Sequence, residues 1–159
     1  MVTRSMQADA VERRFLEQEH REIANGLGRI NQVAGHAERF SVADAVTELN
    51  SLLLWLETSL EPHTAWEEEW LYPRLNELVG SQWPAKLLAF DHQQIRERIE
   101  LLKVERDTLT HGTMPSRLRD LPIQLYGLDA MIRCHIERED RFLLPVLDEP
   151  AARATAGGR

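Results

Sequence analysis

The chain has 159 residues, of which 43% are hydrophobic and 28% are charged, and its formal net charge is −7 at pH 7. This length suits one domain with a hydrophobic core and is short for two. The acidic balance provides no basic surface on which phosphate contacts could dominate binding, so nucleic acid is not an expected partner.

Cysteine content and hydrophobic segments suggest the compartment. Cys134 is the single cysteine, so no disulfide can form within the chain, and the first residues contain no apolar segment of a secretory signal. No run of about 18 apolar residues is free of charge. We therefore expect a cytoplasmic protein that does not span a membrane.

The spacing of hydrophobic residues predicts two helices in the first half. Between residues 8 and 36, apolar residues recur every three or four positions, which predicts the first helix. Ser41 followed by Asp44 is typical of an N-terminal helix cap. The same spacing then continues over roughly 41–78 and predicts a long second helix.

The second half repeats this plan. After Pro84, one apolar stripe predicts a third helix that ends near residue 108, and a fourth is predicted over about 116–147. Four helices with mostly short connections predict an all-α, up-down-up-down four-helix bundle built from two similar hairpins. We expect residues 1–149 to form this single domain and residues 150–159 to be a disordered tail.

Four prolines interrupt the helical patterns. Pro62 and Pro122 each remove a backbone donor, so a kink or a late helix start is expected at these positions. Pro73 and Pro145 are expected to end or bend the second and fourth helices.

Six potential metal ligands form a repeated set. The members of the first half recur in the second half, each 72 residues later. In each half a histidine and a glutamate are four residues apart, about 40° around a helix and about 6 Å along it, so both point to one face. A duplicated hairpin would bring the two halves of the set to one centre. The set is His20, His63 and Glu67, followed by His92, His135 and Glu139.

Four imidazoles and two carboxylates define the kind of site. This mixture suits iron, manganese or zinc better than calcium or magnesium, whose ligands are all oxygens. The symmetry predicts that the two histidines of each half bind one metal, while Glu67 and Glu139 bridge both metals. Each metal would then keep an open position, where dioxygen, peroxide or nitric oxide could bind.

The sequence resembles the hemerythrin-like, HHE cation-binding family. The resemblance rests on Glu19-His20, on Asp91-His92, and on two His-x-x-x-Glu motifs that lead to hydrophobic residues and a proline. It covers about residues 11 to 148. The resemblance implies a four-helix bundle with a non-haem di-iron centre, in which an oxide or hydroxide bridges two iron ions and the ligand is O2, H2O2 or NO.

The chain departs from the oxygen-carrying hemerythrins of this family. Those proteins have a second histidine on the third helix, where this chain has Arg96, and an aspartate five residues after the last histidine, whereas Glu139 follows it at four. Asp140 occupies that other position and could compete as a ligand. The missing imidazole leaves both metals open, which favours a catalase-like reaction with peroxide over reversible oxygen carriage.

Other functions stay open. The chain could be a non-enzymatic sensor of iron or oxygen, or a metal-binding module whose occupancy orders the bundle for an unknown protein partner. Imidazole and carboxylate ligands also suit a structural zinc ion, and manganese could substitute for iron. The polar groups could instead form a buried hydrogen-bond network without metal.

Several other reactive side chains are expected to play smaller roles. His36 and His111 have no counterpart at the 72-residue offset, so we expect them at helix ends or in loops. Cys134 is expected to pack passively, with redox chemistry as the alternative, and Glu68 is expected to lie on the solvated face of its helix. Tyr72 could ligate ferric iron.

Overall fold

The computed structural model describes residues 2–112 and 118–147, with side chains described from residue 13 onward. Helices make up nearly all of this part, and it contains no strand, which confirms the predicted all-α bundle. The expected tail at 150–159 lies outside the described residues. The four helices are α1, Val2–His36; α2, residues 42–79; α3, Trp83–Thr110; and α4, residues 121–147.

Each helix packs against its neighbours in the order α1, α2, α3, α4, and α4 closes the bundle against α1. Two helix starts differ from the prediction. α1 begins at Val2 instead of residue 8, and α4 begins at Leu121 instead of residue 116. Pro122 lies in the first turn of α4, where its missing N–H costs no intrahelical bond, so the late start expected there is confirmed.

The ends of α2 follow from its sequence. Ser41 Oγ accepts a hydrogen bond from the Asp44 N–H, and Ser41 N–H donates to Asp44 Oδ2 at 3.1 Å, which completes the predicted capping box. At the other end, Gly80 adopts the left-handed conformation with φ of 69° and donates its N–H to Asn76 O. Glycine suits this position because it has no Cβ.

Each of three π-helical turns begins six residues before a proline. Proline lacks an N–H and clashes with the carbonyl four residues earlier in a regular helix, and a wider turn accommodates both effects. α2 therefore continues through Pro62 and Pro73 to Val79, where the sequence suggested a kink or an end. The π-helical turns are Leu56–Leu60, Glu67–Leu71 and Glu139–Leu143.

The hydrophobic core consists of two clusters separated along the bundle axis. The larger cluster includes Leu27, Leu56 and Leu128, and the smaller one includes Leu16 and Leu75. Each helix contributes to both clusters and, between them, presents buried histidine or glutamate side chains. The bundle therefore contains a polar layer enclosed by apolar packing on both sides.

Candidate metal centre

The polar layer contains all six predicted ligands, and each is at most 3% exposed. α1 and α3 contribute one histidine each, while α2 and α4 contribute a histidine and a glutamate from successive turns. The structure thus brings together side chains that are up to 119 residues apart in sequence. They are His20, His63, Glu67, His92, His135 and Glu139.

The six side chains form two groups of four that share Glu67 and Glu139. Within each group, one ligand atom per residue lies within 4.8 Å of the others, which is a spacing that a single cation could span. The first group takes its histidines from the first hairpin, and the second takes them from the second hairpin. The groups are His20, His63, Glu67 and Glu139, and Glu67, His92, His135 and Glu139.

The two oxygens of Glu67 face different groups. Oε1 lies 3.0 Å from His63 Nε2, and Oε2 lies 3.2 Å from His92 Nε2. Glu139 Oε2 lies 3.3 Å from His20 Nε2 and 3.5 Å from His135 Nε2. All four histidines therefore point Nε2 towards the two carboxylates, as ligands of two bridged cations would.

Several of these buried atoms form no well-directed hydrogen bond among the described residues, although histidine nitrogens and carboxylate oxygens of the layer approach to 3.0–3.3 Å. They include both carboxylate oxygens of Glu67, Oε2 of Glu139, and Nε2 of His20 and His63. Buried polar atoms are almost always hydrogen-bonded in proteins, and leaving one unpaired costs about 1–3 kcal/mol. Metal ions bound by these nitrogen and oxygen donors would satisfy them all, so the residues present fit two cations.

Without metal, the site holds positive charge on His20. Burial lowers the pKa of His20, but its contacts with Glu139, Glu67 and Asp140 outweigh this effect and raise the pKa to about 10. Burial raises the pKa of Glu67, but the neighbouring histidines more than compensate and hold it well below its usual value. Protons on imidazoles thus supply the counter-charge that a metal would supply.

The second pair of histidines shares a proton. His92 Nε2 lies 2.8 Å from His135 Nε2, so one ring donates and the other accepts. Burial and the charge of His92 lower the pKa of His135 to about 3, while contacts with Glu67 and Glu68 overcome burial and raise the pKa of His92. Burial and the charge of Glu67 raise the pKa of Glu139 to about 7.

Outer carboxylates contact the opposite ring nitrogen of each histidine. Asp140 Oδ1 lies 2.7 Å from His20 Nδ1, and Glu68 Oε1 lies 2.8 Å from His92 Nδ1. Each of these carboxylates directly follows a shared glutamate in sequence. Asp140 therefore contacts a predicted ligand from outside the centre and does not reach into it, and Glu68 is not a purely solvated residue.

The other two histidines each face a carboxylate at a longer distance, without a hydrogen bond at the outer ring nitrogen. Glu19 Oε2 lies 3.6 Å from His63 Nδ1, and Asp91 Oδ2 lies 3.5 Å from His135 Nδ1. A carboxylate at the outer nitrogen fixes the tautomer and orientation of a metal-binding imidazole and increases its basicity. Glu19 and Asp91 each directly precede a histidine of the centre.

Sequence reasoning did not predict that these four carboxylates contact the outer nitrogens of the histidines, since it treated Asp140 as a competing ligand and Glu68 as solvated, although a signal was present. Asp91 lies 72 residues after Glu19, and Asp140 lies 72 residues after Glu68, the same offset that relates the inner residues. The duplication therefore covers the inner residues and their outer partners alike.

Two arginines break this symmetry. Arg96 Nη1 lies 2.9 Å from Glu68 Oε1, and Arg138 Nη1 lies 2.7 Å from Asp91 Oδ2. Both arginines therefore neutralise carboxylates that contact the second histidine pair. The corresponding positions of the first half are Ala24 and Trp66, which carry no charge.

Tyr72 adds a hydroxyl to the centre. Its O–H donates to Glu139 Oε1 at 2.7 Å, and the oxygen lies 3.2 Å from His92 Nε2. Burial and the charges of Glu139 and Glu67 raise the pKa of Tyr72. In the metal-free site the phenol therefore keeps its proton.

A cavity of about 370 Å³ reaches His20 of the first histidine pair from the surface. It lies between α1 and α4, where Arg21, Ala24 and Leu144 line it together with His20 and Asp140. A small ligand could approach the layer from this side.

The remaining candidates lie outside the centre. His36 and His111 are exposed near the ends of α1 and α3, and each ring contacts a backbone carbonyl of its own helix. Cys134 is exposed, so the packing role expected for it is not a core role.

The fold and the buried cluster define a four-helix metal-binding module. A comparison with protein-family models matches residues 12–147 to the Hemerythrin HHE cation binding domain. The chain belongs to this family. No curated protein and no solved structure matches it. Within the described residues, none of the helices combines the length and apolar character needed to cross a membrane.

Proposed function

We propose that the six buried residues hold two iron ions, with Glu67 and Glu139 bridging them. The observation that carries this proposal is the position of Glu67, whose two oxygens face different histidine pairs and form no well-directed hydrogen bond among the described residues. A purely structural hydrogen-bond network would leave fewer such atoms unpaired.

The ligand count supports binding of a small molecule. Two imidazoles and two carboxylate oxygens give each metal four protein ligands, fewer than the five or six that iron takes. Bound iron would supply redox chemistry and an open position for O2, H2O2 or NO. Zinc or manganese could occupy the same donors.

Protein groups around the centre suit such a ligand. The Tyr72 O–H lies between Glu139 and His92 and can donate a hydrogen bond to a small ligand beside them. The two hydrophobic clusters limit the access of water from either end of the bundle.

We propose peroxide disproportionation as the reaction of the loaded protein. One peroxide is reduced to two waters with two protons and two electrons, and a second peroxide releases the same number as it is oxidised to O2. The reaction therefore balances without an organic substrate or an external reductant. A sensor would need only the binding step.

The test starts from metal-free protein titrated anaerobically with ferrous iron. We expect two irons per chain and near-ultraviolet charge-transfer bands after exposure to air, followed by O2 release on addition of peroxide. His63→Ala and Glu67→Gln should abolish the second metal equivalent, while His36→Ala, a change of an exposed histidine, should not. Two bound irons without O2 release would favour the sensor, and a single metal unchanged by air would contradict the di-iron centre.

A further inference from the structure

The outward face of α3 carries a seam of large apolar side chains. It comprises Trp83, Leu87, Phe90, Leu101 and Val104, which are 54% to 71% exposed. The seam follows alternating steps of four and three residues, the spacing that keeps side chains in line with a second helix. The opposite face of α3 packs into the bundle, so the seam points away from it.

The seam is apolar at both ends and polar in the middle. Gln94 and Glu97 continue the same spacing between Phe90 and Leu101. Gln94 Nε2 donates to Glu97 Oε2 at 3.2 Å, so the polar middle already contains one donor and one acceptor. Two copies of such a surface can pair in antiparallel orientation, because each apolar end then meets an apolar end and the polar middles meet each other.

We propose that α3 pairs antiparallel with α3 of a second copy of this chain. A two-fold axis at the centre of the seam would place Phe90 opposite Leu101 of the second copy and Leu87 opposite Val104. Each apolar end would then cover the other, and large exposed apolar surfaces typically mark such contacts.

The polar middle fits the same arrangement. The axis places Gln94 of one copy opposite Glu97 of the other, so an amide donor meets a carboxylate twice in the dimer. A parallel pairing would instead set Glu97 against Glu97, and like charges in contact repel. The middle of the seam therefore selects the antiparallel orientation.

The charges beside the seam are also complementary. In the antiparallel register Lys86 lies near Asp107 of the second copy. This pair occurs twice because of the two-fold axis. Complementary charges beside an apolar seam set the partner and orientation of paired helices.

The size of the seam suits a reversible dimer. From Trp83 to Val104 it runs about 32 Å along α3, at 1.5 Å per residue. Its exposed apolar surface is on the order of 600 Å² per protomer, at the lower end of the roughly 600–1,000 Å² per partner of stable interfaces. We therefore expect dissociation in the micromolar range.

The first experiment measures the mass of the full chain by sedimentation velocity over a range of micromolar concentrations. We expect a dimer that dissociates on dilution, and a monomer for Phe90→Glu at every concentration. Phe142→Glu is the matched control, since Phe142 is 69% exposed on α4, away from the seam, and should stay dimeric. Unchanged far-ultraviolet circular dichroism verifies that both variants are folded.

A charge reversal tests the register. Lys86→Glu should raise the dimer Kd about tenfold, because two attractive pairs become repulsive. The double variant Lys86→Glu with Asp107→Lys should restore it, because the swap rebuilds both pairs across the axis. A monomeric wild type, a dimer that survives Phe90→Glu, or a double variant as weak as the single one would each overturn the proposal.

Discussion

Asp140 on α4 holds His20 on α1, with its Oδ1 atom 2.7 Å from the outer ring nitrogen. We expect Asp140→Asn to lower metal affinity about tenfold, because outer partners of metal-binding histidines typically contribute 10- to 100-fold. Asp120→Asn, at the N-terminal end of the same helix, makes the same change far from the centre and should leave affinity unchanged. Competition with a metallochromic chelator measures both, and equal affinities for the two variants would argue against this role.

The two metal positions should differ in affinity. Arg96 and Arg138 withdraw charge from the carboxylates behind the second histidine pair, so metal should load first between His20 and His63. Arg96→Gln should strengthen the weaker step several-fold and bring the two steps together. Arg98→Gln removes the same charge from the same helix without such a contact. Isothermal titration resolves the steps, and identical sites in the wild type would refute the asymmetry.

The stability of the metal-free protein should fall as pH rises above about 6.5. A folded pKa of about 10 for His20 means that the folded state retains a proton which the unfolded state, with a pKa of 6.5, releases. The raised pKa of His92 acts in the same direction. Between pH 6.5 and about 10 the folded state binds more protons than the unfolded state, so the free energy of unfolding decreases as pH rises.

Below about pH 6.5, His135 and Glu67 make the stability of the metal-free protein rise with pH. The lowered pKa values of His135 and Glu67 favour the folded state at higher pH, and this contribution is lost as pH falls below 6.5 and 4.5 respectively. Glu139, with its raised pKa, partly offsets His135 between 4.5 and 7. Denaturant unfolding should therefore show greatest stability between about pH 4.5 and 6.5, and bound metal should remove the alkaline decline. An alkaline rise in the metal-free protein would contradict this assignment.

Gly26→Ala should destabilise the bundle. A Cβ atom at Gly26 would lie 2.1 Å from Cζ2 of Trp55, whose ring packs directly over the glycine. Displacing that ring should cost about 1–3 kcal/mol. Gly28→Ala is a matched control on the same helix, with no atom within 4 Å of the added Cβ, and should stabilise by about 1 kcal/mol. Thermal unfolding measures both variants, and we expect a lower Tm for Gly26→Ala than for Gly28→Ala. Equal Tm values would exclude the clash.

The inner site could be predicted from sequence because residues four apart lie on the same face of a helix, and because the 72-residue offset repeats this pair in the second half. His63 and Glu67 share a face at any bundle geometry, and their counterparts repeat it. Contacts between helices are not encoded in this way. Glu68 is out of phase with Glu67 on its own helix, yet its side chain reaches His92 on α3.

The same limit explains Arg96, which the sequence identified only as a missing histidine. Its effect depends on which carboxylate of α2 comes within reach, and that depends on the packing of α2 against α3. The π-helical turns were also missed, since proline signals a disturbance of the helix without specifying that the chain continues through it.

The four outer carboxylates connect each helix to the next one around the bundle. Asp140 of α4 contacts the histidine of α1 and Glu68 of α2 contacts the histidine of α3 at hydrogen-bond distance. Glu19 of α1 and Asp91 of α3 face the histidines of α2 and α4 at 3.6 Å and 3.5 Å. Two of these four links lie within a hairpin and two lie between hairpins. A single hairpin would therefore keep only the contact within itself and lose both contacts to the other hairpin. It could regain those contacts only by pairing with another hairpin. Loosening any one helix would release an imidazole on its neighbour, so occupancy of the centre and closure of the bundle rise and fall together.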